Sequence, residues 1–103
     1  MAYTGTFTAT GVTAAPYFSP EYTSSVDGSA PFNMSLWGTF VGTVQLERSF
    51  DNGVTFLPLT ALGTAITFTA PATEVFNEPE SGVQYRLNCT AFTSGTINYR
   101  LSQ

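Results

Sequence analysis

Apolar residues in this chain recur at every second position, and no stretch sustains the 3.6-residue period of a helix. The clearest run is Val83-Gln84-Tyr85-Arg86-Leu87-Asn88-Cys89. There Val83, Tyr85, Leu87 and Cys89 point one way, and Gln84, Arg86 and Asn88 the other. Successive side chains of a β-strand project to opposite faces, so this alternation marks a strand with one face buried and one wet. Thr96-Ile97-Asn98-Tyr99-Arg100-Leu101 repeats the pattern with Ile97, Tyr99 and Leu101. Thr93-Ser94-Gly95 between them has turn chemistry, so the two runs are expected to form a hairpin.

The rest of the chain reads the same way. Val44, Leu46 and Arg48 alternate with Gln45 and Glu47, Asp51-Asn52-Gly53 supplies a turn, and Val54-Thr55-Phe56-Leu57 returns. Thr64–Thr69 is a strand with Ile66 and Phe68 on one face, ended by Pro71. Phe32, Met34 and Leu36 mark another strand, and Tyr3, Phe7 and Ala9 an edge strand. Residues 11–31, with Pro16, Pro20, Pro31, Gly28 and several serines, are expected to form a long loop or arm. About seven short antiparallel strands, roughly ten residues apart, predict one all-β domain over residues 1–103. The Val44–Leu59 and Val83–Leu101 segments resemble the central hairpins of immunoglobulin-like or fibronectin type III-like sandwiches. The expected fold is therefore an Ig-like β-sandwich, with a jelly roll or small barrel as the alternative. A single cysteine, Cys89, rules out an intramolecular disulfide.

Composition narrows the function. Only 10% of residues are charged, against roughly 25% in ordinary domains. A surface so poor in charge either relies on Thr, Ser, Asn and Gly for solubility or is covered by other subunits; the second reading is preferred. The only basic side chains are Arg48, Arg86 and Arg100, and the net charge is −4. Nucleic acid and anionic membrane surfaces both demand clustered Lys or Arg, so neither is an expected partner. The first residues lack the basic and apolar regions of a signal peptide, and no apolar run approaches membrane-span length. The product is expected to stay in the cytoplasm or to be assembled there into something larger.

There is no histidine, so no Ser-His-Asp triad, Cys-His dyad or Cys/His zinc site can form within one chain. Neither a phosphate-binding loop nor a dinucleotide fingerprint occurs, and no cofactor and no enzymatic activity are expected. Cys89 reads as a buried small hydrophobe. Glu74, Glu78 and Glu80 read as a solvated acidic loop, with a Ca²⁺ site or a carboxylate pair as the sharper alternatives. Glu47 and Arg48 would pair with charges on a neighbouring strand or subunit. Arg86 and Arg100, placed side by side on one hairpin, would call for an acidic partner such as Glu47 or Glu78. Trp37 is core if Gly38 flips the register; otherwise it is an interface anchor. Tyr17, Phe18 and Tyr22 lie in the Pro-rich segment, where they either dock on the sandwich edge or insert into a neighbouring subunit.

Four stretches carry a more specific likeness. Gly42-Thr43-Val44-Gln45-Leu46-Glu47-Arg48-Ser49-Phe50-Asp51-Asn52-Gly53-Val54-Thr55-Phe56 resembles small virion proteins of tailed bacteriophages. So do Glu78-Pro79-Glu80-Ser81-Gly82-Val83-Gln84-Tyr85-Arg86-Leu87, Thr93-Ser94-Gly95-Thr96 and the ending Tyr99-Arg100-Leu101-Ser102-Gln103. The likeness spans roughly the last two-thirds of the chain and consists of strand-and-turn patterns, not catalytic signatures. It implies a capsid decoration (cement) protein, or a head or tail accessory, in the virion, with the major capsid protein and further copies of itself as partners. The reading from a different class is a carbohydrate- or receptor-binding module on a fibre, with Trp37, Tyr17 and Tyr22 as its aromatic platform.

Overall fold

The computed structural model describes residues 2–21 and 30–103. Among these residues there is no helix, and the strands are all antiparallel. One sheet has the order β1 (Ala2–Phe7), β11 (Ile97–Ser102), β3 (Ala30–Trp37), β9 (Ala72–Glu78). The other has the order β2 (Gly11–Val12), β10 (Gln84–Gly95), β4 (Phe40–Ser49), β5 (Leu57–Pro58), with β8 (Thr67–Phe68) also pairing β4. A small third sheet joins β6 (Thr60–Ala61) to β7 (Thr64–Ala65). Both large sheets are open, so the molecule is a β-sandwich and not a closed barrel. Of the sandwich arrangements that the sequence left open, the strand order matches the jelly roll, in which neighbouring strands pass together from one sheet to the other.

The expected hairpin over Val83–Leu101 does not form. β10 and β11 each alternate as read, but they lie in different sheets. β10 runs straight through Thr93-Ser94-Gly95, and the chain then crosses to the opposite layer. The alternation revealed which face each strand buries. It carried no information about the pairing partner, because both sheets bury a face of the same composition.

One ladder organises the whole sandwich. β11 pairs β3 at Asn98↔Trp37, and three residues on along each strand β10 pairs β4 at Gly95↔Phe40, with no slip of register. The Thr96 N–H donates to the Thr39 carbonyl at 3.0 Å, filling the gap between the two blocks. Two long strands, residues 30–49 and 84–102, thus stay paired while folding together over a corner. The corner needs close backbone approach. Gly95 has φ +94°, and a Cβ there would collide with the Thr39 carbonyl and the Phe40 Cα. Beyond the corner, register shifts between Cys89 and Ala91 and between Phe92 and Ser94 bend β10 further.

The core lies between the sheets. Phe32, Met34, Leu36, Ile97, Tyr99 and Leu101 come from one layer, and Val44, Leu46, Leu87 and Cys89 from the other. The Phe32 ring sits 4.5 Å from Tyr85, 5.5 Å from Phe18 and 5.8 Å from Phe76, joining both sheets and the Pro-rich segment. Residues 11–21 run along the edge of β10. The Thr13 N–H donates to the Leu87 carbonyl, and the Tyr85 N–H to the Phe18 carbonyl.

Two expected strands are shorter than the sequence implied. The turn at Asp51-Asn52-Gly53 forms, with Asn52 and Gly53 both at positive φ. The return after it reaches β4 only at Leu57, because Ser49 Oγ and the Asp51 carboxylate hold the backbone N–H groups of Gly53 and Thr55 in the loop. Thr64–Thr69 divides at Ile66. The Ile66 N–H donates to the Leu59 carbonyl while its own carbonyl accepts from Leu46, so the strand leaves the β6–β7 hairpin before it joins β4 as β8.

Gly95→Ala combines a positive φ with a backbone collision, and is expected to destabilise the fold by about 2 kcal/mol or more. Urea unfolding of the two purified chains measures this directly. An unchanged midpoint would contradict the corner as described.

Candidate interaction surface

Four of the described charged side chains meet in two ion pairs, and alternation on β4 creates both. Glu47 projects from the outer face of its sheet, while Arg48 projects towards the interior at one end of the sandwich. Arg48 reaches across to β9 and forms an ion pair with Glu78, which is only 1% exposed. The Tyr85 hydroxyl donates to the same Glu78 oxygen at 2.6 Å, and the other oxygen accepts the Glu80 N–H at 2.9 Å. Burial raises the Tyr85 pKa, and the adjacent Glu78 carboxylate raises it further, so the phenol stays protonated as a donor. Glu78 therefore does not belong to a solvated acidic loop. It ties the end of one sheet to the other.

Glu47 is also buried, although it lies on an outer face. Arg86 is directly opposite it in register, and Nε of Arg86 lies 2.7 Å from Oε1 of Glu47. Asn88 and Gln45 donate to Oε2 at 3.1 and 2.7 Å. The Arg86 guanidinium is roofed by Phe56, 4.1 Å from the ring centroid, and Tyr17 packs edge-on against Phe56 at 4.7 Å. Burial pushes the Glu47 carboxyl up, but donors from Asn88, Arg86 and Gln45, with the Arg86 charge, outweigh it and hold the group below its ordinary value. A carboxylate with these three side-chain donors is a structural anion.

The other singled-out residues fall into place around these clusters. Arg86 and Arg100 are not adjacent, because β10 and β11 belong to different sheets; Arg100 is exposed, opposite Thr4 and Ser35. Phe18 is buried to 1% and belongs to the core, Tyr17 is half-buried, and Tyr22 lies outside the described residues. Trp37 keeps the register of β3, so it faces outward and is 47% exposed. Cys89 is buried, and burial raises its thiol pKa. Glu74 and Glu80 are exposed and apart from Glu78 in environment. Among the described residues, no group of three or more His, Cys, Asp or Glu side chains is placed to hold a metal ion.

With four charged side chains held in these two pairs, the outer surface is left poor in charge. Val41, Phe50, Val54, Leu57, Leu62 and Val75 are exposed, besides Trp37. An open depression of about 350 Å³ lies beside the bulged part of β10, lined by Phe40, Val41 and Ala91 among threonines, with no titratable group in its wall. The chain matches no family model, no curated protein and no solved structure. Sequence reasoning missed Phe56 as the roof over Arg86 and Glu78 as a buried anchor. The alternation of Glu78 with Phe76 was the available signal for Glu78; nothing in the sequence pointed to Phe56.

Two outcomes are expected. Folding lowers the Glu47 pKa below its ordinary value of 4.5. The carboxylate therefore contributes stability above about pH 4.5, and that contribution is lost as pH falls through the folded value. Glu47→Gln should be less stable than the parent near neutral pH, and its stability should fall less steeply on acidification; denaturant titrations across the acid range test this. Arg48→Ala leaves Glu78 buried without its counter-ion and is expected to cost about 3 kcal/mol, measurable by the same titrations at neutral pH.

Proposed function

We propose that this chain is a non-enzymatic structural protein of a tailed-phage virion, acting as a capsid decoration protein that binds the major capsid protein. The observation that carries the reading is the disposal of charge. Two of the three arginines are held in ion pairs within the chain, and the surface left over is threonine-rich, poor in charge and dotted with exposed apolar side chains. Such a surface suits burial against neighbouring subunits, where charged residues are depleted and aromatic anchors enriched. The likeness of residues 42–56, 78–87, 93–96 and 99–103 to small virion proteins supports the same reading, and the jelly-roll strand order is one that viral shell proteins use. A fold alone does not carry a function, so the argument rests on the surface. Many copies, each adding modest contact area between capsomers, would act together on a shell.

The receptor-binding alternative is favoured by one observation, the outward-facing Trp37 at the corner of the sandwich. Its proposed companion Tyr17 is half-buried and packed against Phe56.

The test is immunogold electron microscopy of particles from the source, using antibody raised against the recombinant chain. Dense label over the head is the expected result. Label restricted to tail or fibres would move the assignment to the host-attachment reading, which a glycan array would then examine. No label on any particle would sink the virion assignment.

A further inference from the structure

β9 is the edge strand of its sheet, and among the described residues it pairs only with β3. An open edge presents a row of unsatisfied backbone donors and acceptors, and proteins that must stay apart blunt it with charged side chains, above all Lys, with Pro or with a bulge. β9 reads Ala72-Thr73-Glu74-Val75-Phe76-Asn77-Glu78 and contains no Lys, Pro or bulge; Glu78 is paired with Arg48 inside the fold, which leaves Glu74 as the one exposed charge on the strand, and the pairing with β3 runs without a register shift. Its outer face carries Thr73, Val75 and Asn77, with Val75 73% exposed at the centre. The opposite edge strand, β1, carries Gly5 at its centre, which has no side chain to pack across a new pair, and is the weaker platform.

We propose that β9 pairs antiparallel with β9 of a second copy, across a two-fold axis through Val75, joining the two four-stranded sheets into one. The occupant follows from self-complementarity. With Val75 opposite the second copy's Val75, Thr73 meets Asn77, Glu74 meets Phe76 and Ala72 meets Glu78. No like charges are directly opposed, and a β-branched pair occupies the centre of the outer face. Moving the axis one residue towards Glu74 sets Glu74 against itself. Moving it one residue towards Phe76 sets Glu74 against Glu78. Both alternatives place like charges directly opposite and are penalised. A two-fold contact of this kind is closed, so it yields a dimer and not a filament. The pairing deepens the assembly reading above by naming the surface through which copies of the chain meet.

The test uses the purified full chain and needs no virion. Sedimentation should show a concentration-dependent dimer. Val75→Cys should form a disulfide-linked dimer under mild oxidation, since directly opposed Cβ atoms lie about 5 Å apart; buried Cys89 does not compete. Thr73→Cys alone should not cross-link, whereas a mixture of Thr73→Cys and Asn77→Cys chains should. Val75→Lys should weaken the dimer by about ten-fold or more while leaving the thermal melt of the dilute chain unchanged. A chain that sediments as a monomer at every concentration would overturn the proposal. So would a Val75→Cys chain that cross-links no faster than the exposed control Leu62→Cys. A monomer that still labels virions would sink this pairing and leave the virion reading standing; a dimer absent from virions would do the reverse.

Discussion

The ladder that joins residues 30–49 to residues 84–102 is the constraint on which the other features depend. It is continuous from Asn33↔Ser102 to Ser49↔Gln84, apart from the two register shifts in β10, and it passes through the corner without losing its pairing. Because the two strands fold over together, each contributes inward-facing residues to both layers. Phe32, Met34 and Leu36 face Val44 and Leu46 of the same strand pair across the core. β1, β2, β5, β8 and β9 then extend the two layers from this ribbon as edges. Such long-range pairing carries a loop-closure cost before its contacts form, and the corner concentrates that cost at a few backbone atoms.

Charge is used sparingly and locally. A desolvated carboxylate is tolerated only when its oxygens are occupied. Glu78 meets this condition with Arg48, Tyr85 and the Glu80 N–H, and Glu47 with Arg86, Asn88 and Gln45. Both clusters sit on β4 neighbours, one residue apart, and face opposite sides of the sheet. The inner one fastens the two layers at the end away from the Gly95 corner. The outer one draws the Phe50–Phe56 loop and Tyr17 over the face of the sheet. The same disposition leaves the remaining surface poor in charge, and it connects the energetics of the fold to the proposed role in assembly.

The sequence by itself determined most of the strands and their buried faces, but not β9, whose residues read as an acidic loop. Alternation placed Phe32, Met34, Leu36, Val44, Leu46, Val83, Tyr85, Leu87, Cys89, Ile97, Tyr99 and Leu101 correctly inside, because the period of two is a local property of the extended chain. The Asn52-Gly53 turn was legible for the same reason, as positive φ is a demand made on individual residues. Tertiary structure alone decided the pairing. Thr93-Ser94-Gly95 reads as a hairpin turn, yet Gly95 serves a corner between layers, since a glycine signals permissive backbone and not the direction the chain takes. Likewise Arg86 found Glu47 and not Arg100, Glu78 went inside and Phe56 became a roof, because each depends on which strands lie side by side. That choice is set by contacts between residues thirty positions apart or more, which no local pattern encodes.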